Sequence, residues 1–128
     1  MPVANGHTIV LVEDDLEIRT YFETALRCQG YSVEAAQNGE EVLAYLRGHQ
    51  PSVSAVVMDV IMPGRDGIEA LKEIRGVNRD LPIIIMSGAS SPLDVAEVMK
   101  NGASGFLAKP INPEDLRKAL KKIGRAHV

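Results

Sequence analysis

The chain has 128 residues, 45% apolar and 24% charged, with a net charge of -3 and a pI near 5.6. That length suits one domain around one core, and the mild acidity argues against nucleic acid as a direct partner of this segment. The apolar runs fall far short of the ~20 residues of a membrane span. Met1–Gly6 has neither a basic start nor an apolar core, so no secretory signal is read there, and a lone cysteine, Cys28, excludes an internal disulfide and fits a reducing compartment, the cytoplasm.

Residues 1–7 are small and polar and read as a loose tail. Thr8–Val12 is a continuous apolar strand of the kind buried on both faces of a parallel sheet. It ends in three acids, Glu13, Asp14 and Asp15. Leu16, Ile18, Tyr21, Phe22, Ala25 and Leu26 then recur at helical spacing, and Gly30 stops that helix. Tyr31–Ala36 alternates weakly as a second strand. Asn38 caps a helix over Gly39–Arg47 that turns Val42, Leu43, Tyr45 and Leu46 inward and ends at Gly48. The third strand, Val53–Met58, runs into Asp59, a carboxylate inside an oily stretch that continues with Val60 and Ile61. Met62-Pro63-Gly64 then breaks any regular structure.

Ile68, Leu71 and Ile74 mark a helix to about Arg75. Leu81–Met86 is the fourth strand, with Pro82 in its first turn, where a missing N–H is tolerated, and it ends at Ser87-Gly88. Pro92–Asn101 is a helix with Val95, Val98 and Met99 inward, stopped by Gly102. Gly105–Ala108 is the fifth strand, closed by Lys109-Pro110. Asn112 or Pro113 starts a last helix through Leu116, Leu120 and Ile123, ending at Gly124. Five strands, each followed by a helix on a short connection, predict an α/β domain. Its core is an open, doubly wound, mostly parallel five-stranded sheet with helices on both faces. Five units are too few for an eight-fold barrel.

In such a sheet the carboxyl ends of the strands share one edge, where ligands bind. That edge collects Glu13, Asp14, Asp15, Asp59, Ser87 and Lys109. An acid in an apolar run is costly to bury unless something pairs with it, and crowded acids raise one another's pKa values unless a cation sits among them. Oxygen donors without His or Cys suit Mg2+ rather than zinc. With the Ser87 hydroxyl and the Lys109 ammonium at hand, the set is equipped to handle a phosphoryl group, with Asp59 as the attacking oxygen. The residues propose an aspartyl phosphate.

Val12-Glu13-Asp14, Met58-Asp59 with Met62-Pro63 and Asp66-Gly67, Ile85-Met86-Ser87-Gly88, and Lys109-Pro110 stand in order at strand ends. Together they resemble the receiver domain of two-component response regulators, over Thr8 to Ile123. The resemblance implies a flavodoxin-like, chemotaxis-receiver-like sheet of strand order 2-1-3-4-5, with a domain over 8–124 between tails at 1–7 and 125–128. It implies Asp59 as phosphoacceptor, and Mg2+ held by Glu13, Asp14, Asp59 and the Ile61 backbone carbonyl. Ser87 would follow the phosphoryl group, Lys109 would pair with it, and Phe106 would be the aromatic switch. In relatives the Lys109-Pro110 bond is often cis.

The same resemblance implies a sensor histidine kinase as phosphoryl donor and an output domain or downstream protein as reader. It also implies a homodimer through the last two helices and fifth strand, with no membrane contact. Catalysis would be limited to self-phosphotransfer and self-dephosphorylation, so the chain is not expected to be an enzyme. The departures are mild: Glu13 for the commoner Asp, Ser87 for Thr and Phe106 for Tyr. Ile61 and Ala89 stand where relatives tune phosphate loss, and neither side chain can orient a water, so slow-to-moderate self-dephosphorylation is expected. Ala25–Gly30 and Ser87–Pro92 are similar to receivers that precede sigma-54-activating ATPase regulators. The chain is then either a stand-alone regulator or the front of a longer one.

Other readings fit less well. Haloacid-dehalogenase-like phosphohydrolases share the Asp, Ser/Thr and Lys set but carry Asp-x-Asp after the first strand, and position 61 here is Ile. A flavin site would need a Ser/Thr/Gly-rich loop after the first strand, and a pseudo-receiver would not need the full set of Glu13, Asp14, Asp59, Ser87 and Lys109. Simpler roles are assigned elsewhere. Asp15 is the acid at a helix N-terminus, Asp66 turns or caps before Gly67, and Cys28 is a buried small hydrophobe. His7, His49 and His127 share no ligand spacing and read as surface, and Lys118, Lys121 and Lys122 as the solvated face of the last helix.

Overall fold

The computed structural model describes residues 7–13, 15–49, 53–59, 61–62, 65–88 and 92–126. In chain order they form β1 (Thr8–Val12), α1 (Leu16–Cys28), β2 (Ser32–Ala36), α2 (Gly39–His49), β3 (Val53–Asp59), β4 (Ile61–Met62), β5 (Arg65–Asp66), α3 (Gly67–Val77), β6 (Ile83–Ser87), α4 (Pro92–Lys100), β7 (Gly105–Ala108) and α5 (Pro113–Ala126). The five longer strands pair in parallel in the order β2-β1-β3-β6-β7, which is 2-1-3-4-5 when only those five are numbered.

The continuous apolar runs have a direct cause: each central strand is buried on both faces. Val10, Val12, Val56, Met58, Ile83 and Ile85 pack into one core with Val42, Leu46, Leu71, Ile74 and Val98 of α2, α3 and α4. Their neighbours Ile9, Leu11, Val57, Ile84 and Met86 pack into a second core with Phe22 and Leu26 of α1 and Leu116 and Leu120 of α5.

The helix ends follow local chemistry. Asp15 caps α1, its Oδ1 accepting from the N–H of Glu17 at 2.9 Å and of Ile18 at 3.2 Å. Asn38 does the same for α2, accepting from Glu41 N–H at 3.0 Å. Asn112 caps α5, accepting from Asp115 N–H at 2.9 Å, which leaves Pro113 at the first helical position, where its missing N–H costs nothing. Gly30 (φ 97°) and Gly102 (φ 109°) adopt the left-handed conformation just beyond α1 and α4. Gly48 does not, and the expected stop there is corrected: α2 runs on to His49. Likewise α5 passes Gly124 and ends at Ala126.

Three further expectations are corrected. Cys28 is exposed rather than buried, because the inward line of α1 is Phe22 and Leu26, and a residue two beyond Leu26 lies on the opposite side of the helix. Met99 is exposed, 100° round from buried Val98, and Leu16 and Tyr21 also face outward. The stretch after Asp59 is not wholly irregular, since Ile61 and Met62 pair antiparallel with Asp66 and Arg65. Residues 1–6, Asp14, Ala89 and His127, and the side chains of Asp66 and Ile123, lie outside the described residues.

At the sheet edge opposite the strands' carboxyl ends, Arg75 near the end of α3 fastens three segments. Its Nε donates to the Gly102 carbonyl at 2.7 Å, and its other nitrogens donate to the carbonyls of Asn78 and Leu81 and to Ser104 Oγ. A Cβ on Gly102 would lie 2.8 Å from Arg75 Cγ, so the approach requires glycine. Arg75→Ala is expected to cost about 2 kcal/mol in urea unfolding, because it leaves partly buried carbonyls without their donor. Arg75→Lys should recover less than half of that, since an ammonium cannot fork across several acceptors. An unchanged midpoint in the alanine variant would contradict this.

Candidate functional site

The parallel register brings Val12 level with Met58 and Asp59 level with Met86, so the residues just past those pairs converge. Among the described residues the buried polar or charged ones are Glu13 (2% exposed), Asp59 (5%) and Ser87 (1%). All three lie at the carboxyl edge of the sheet. Lys109 joins them because its N–H donates to the Ser87 carbonyl at 2.8 Å, which extends the β6–β7 pairing by one residue. The Lys109-Pro110 peptide is cis.

The Lys109 ammonium lies 2.6 Å from Asp59 Oδ2 and 3.5 Å from Glu13 Oε2. The other Glu13 oxygen, Oε1, accepts from Asp15 N–H at 3.3 Å. Glu13 and Asp59 also share a side-chain hydrogen bond. One cation therefore faces two buried acids. Burial first, and then the Asp59 charge and its hydrogen bond, push the Glu13 carboxyl up from 4.5 to about 7 against the opposing pull of Lys109. Burial also disfavours the Lys109 ammonium, but Asp59 and Glu13 together outweigh it and hold its pKa above the usual value.

Two buried acids that face one lysine leave the pocket with more negative charge than that lysine balances. That donor set fits a hard divalent cation, whose charge would take the place of the shared proton. Among the described residues no three His, Cys, Asp or Glu side chains converge; two do, Glu13 and Asp59. Asp14, which chain order places beside them, lies outside the described residues.

Phe106 stands opposite Ile85, two residues before Ser87 on the neighbouring strand, and packs half-buried against the core under α4. Strand alternation puts Ser87 on the same face as Ile83 and Ile85. Arg19 was not singled out from the sequence. Its guanidinium donates to the Glu13 main-chain carbonyl at 3.1 Å. A single arginine on a helix carries no sequence signal that separates it from a solvated surface residue.

Comparison with known proteins identifies the family. Residues 9–121 match the family described as "Response regulator receiver domain". Response regulator MprA of Mycobacterium sp. (strain KMS) is 35% identical over 117 residues, which cover 91% of this chain and 50% of that protein. Transcriptional regulatory protein AfsQ1 of Streptomyces coelicolor is 35% identical over 118 residues, covering 92% and 51%. The chain thus spans about half the length of these curated relatives. Among solved structures, chemotaxis protein CheY4 of Vibrio cholerae superposes with a TM-score of 0.85 at 33% identity, covering 91% of this chain and 98% of that one. A receiver domain protein from Clostridium thermocellum gives 0.87 at 27% identity, covering 94% and 97%. No described helix is long and apolar enough to cross a membrane. With a shared strand order, a buried acidic edge under one lysine, and a family match over nearly its whole length, the chain belongs to the response-regulator receiver domain family.

Proposed function

We propose that Asp59 is the phosphoacceptor of this receiver. The observation that supports the reading is the convergence of Glu13, Asp59 and Ser87, all buried, on one edge with Lys109 bonded to both acids. Glu13, Asp14, Asp59 and the Ile61 carbonyl would hold Mg2+, which when bound supplies positive charge for the phosphoryl oxygens. A carboxylate oxygen of Asp59 attacks phosphorus. The bond from phosphorus to the donor breaks, to a histidine nitrogen of a sensor kinase or to the acetate oxygen of acetyl phosphate, and the leaving group keeps the electron pair. Lys109, already 2.6 Å from Asp59, neutralises charge as the phosphoryl group arrives.

The Ser87 hydroxyl then donates to a phosphoryl oxygen, and Phe106 moves further into the core beneath α4. That shift favours one of two arrangements of the α4–β7–α5 face, which an output segment or a second copy reads. The chain's chemistry is limited to taking up and losing its own phosphoryl group, in a reducing compartment such as the cytoplasm.

Intact-mass measurement after acetyl phosphate plus Mg2+ tests the assignment. A gain of one phosphoryl group, mapped to Asp59 by fragmentation, is expected. No adduct in a protein that binds Mg2+ would overturn it. Ile61 and Ala89 offer no side-chain hydrogen bond to a water, so the adduct should decay over minutes or longer, and decay within seconds would refute that part.

A further inference from the structure

Glu13 lies one residue beyond the end of the β1 ladder, whose last pairs are Val12 with Ala36 and Val12 with Met58. Its N–H still reaches β2, donating to the Ala36 carbonyl at 3.1 Å. Its carbonyl has passed the last strand partner, in a residue 2% exposed, where an unpaired acceptor is costly. Arg19, a turn into α1 and partly buried, supplies the donor at 3.1 Å. That carbonyl belongs to the peptide unit joining Glu13 to Asp14. A hydrogen bond from a permanently charged guanidinium therefore restrains the peptide plane that follows Glu13.

We propose that Arg19 is a positioning residue for the divalent-cation site. It touches neither the cation nor the phosphoryl group; it restrains the main chain at Glu13 so that the Glu13 carboxylate enters the site over a narrow range of angles. The inference rests on the reading of Glu13 and Asp14 as cation ligands given above. Glu13 has one methylene more than an aspartate, so its carboxylate has an added torsion to settle. A held main chain limits the arc over which that carboxylate can swing. Residues that orient metal ligands typically contribute 10- to 100-fold in affinity; a clamp acting through one peptide belongs at the lower end.

The sign of the effect separates positioning from charge. A guanidinium bonded to the Glu13 main chain would repel a divalent cation bound beside it, so a purely electrostatic Arg19 would weaken Mg2+ binding, and removing it would tighten binding. A positioning Arg19 predicts the reverse.

The experiment is Mg2+ titration followed by amide NMR shifts in the wild type, Arg19→Met and Arg19→Lys, with urea unfolding in EDTA alongside. Arg19→Met should bind Mg2+ about tenfold more weakly. Arg19→Lys, which keeps a charge and one donor but not the fork, should fall between. At saturating Mg2+, phosphoryl uptake by Arg19→Met should return close to the wild-type rate, because the defect lies in affinity. Equal or tighter Mg2+ binding by Arg19→Met overturns the proposal, as does a loss of stability in EDTA with Mg2+ affinity unchanged. Absence of Mg2+ binding by the wild type overturns the cation reading itself and this inference with it.

Discussion

Asp59→Asn is expected to take up no phosphoryl group from acetyl phosphate in Mg2+ while remaining folded. The carboxamide has the shape of the acid, so the packing of β3 against β1 and β6 survives. Its oxygen, however, carries no formal charge and is a poor nucleophile toward phosphorus. The same change alters the neighbours. Lys109 loses its charged partner at 2.6 Å and retains Glu13 at 3.5 Å. After burial, the Asp59 charge and hydrogen bond are the next causes holding Glu13 near 7, so the Glu13 carboxyl should titrate at lower pH in the variant and become the carboxylate that pairs with Lys109. Intact mass checks the first expectation, and a carbon-detected NMR titration of Glu13 checks the second. Wild-type phosphoryl uptake by the variant would move the acceptor elsewhere; an unmoved Glu13 titration would mean that burial alone sets it.

The second large effect is a loss of stability on raising the pH of the metal-free protein. Glu13 holds its proton up to about 7 in the fold, against 4.5 when unfolded. Between those values the folded protein keeps a proton that the unfolded chain has released, so unfolding free energy falls as pH rises through the window. Below it both states are protonated and above it both are ionised, and the curve flattens. The shift is worth about 3 kcal/mol across the window. Lys109 adds no slope there: its raised pKa gives a contribution fully present below 10.5 and lost only at higher pH. Urea unfolding in EDTA at about pH 5 and about pH 8 reads the difference directly, and Glu13→Gln should remove most of it. Saturating Mg2+ should restore stability increasingly with pH, because a cation that binds the ionised acids stabilises the folded state in proportion to ln(1 + [Mg2+]/Kd). A flat profile in EDTA would sink the assignment of the proton to Glu13.

The doubly wound sheet could be read from the sequence because its central strands are apolar without interruption, a pattern that only burial on both faces produces. The site could be read for the converse reason. Asp59, Glu13, Ser87 and Lys109 each end an apolar run, and a parallel sheet gathers all such ends on one edge. Angles around a helix are harder to read. Cys28 and Met99 each sit beside an inward residue, and a turn of 100° per residue separates core from solvent without any change in hydrophobicity. Gly48 and Gly30 are the same residue type near the ends of successive helices, and only the backbone conformation distinguishes the one that stops its helix. Arg19 and Arg75 leave no signal in the sequence because they bond to main-chain carbonyls, which have no letter there.

Arg75 and Gly102 stand 27 residues apart along the chain and are joined by one 2.7 Å hydrogen bond. The intervening loop contains all of β6 and α4, and with them Ser87. A single guanidinium thus ties the two ends of that loop together, as a knot closes a noose, and it does so at the edge of the sheet farthest from the acids. Arg75 also bonds the Leu81 carbonyl just before β6, so a change there alters the footing of the strand that ends in Ser87 without touching the acids.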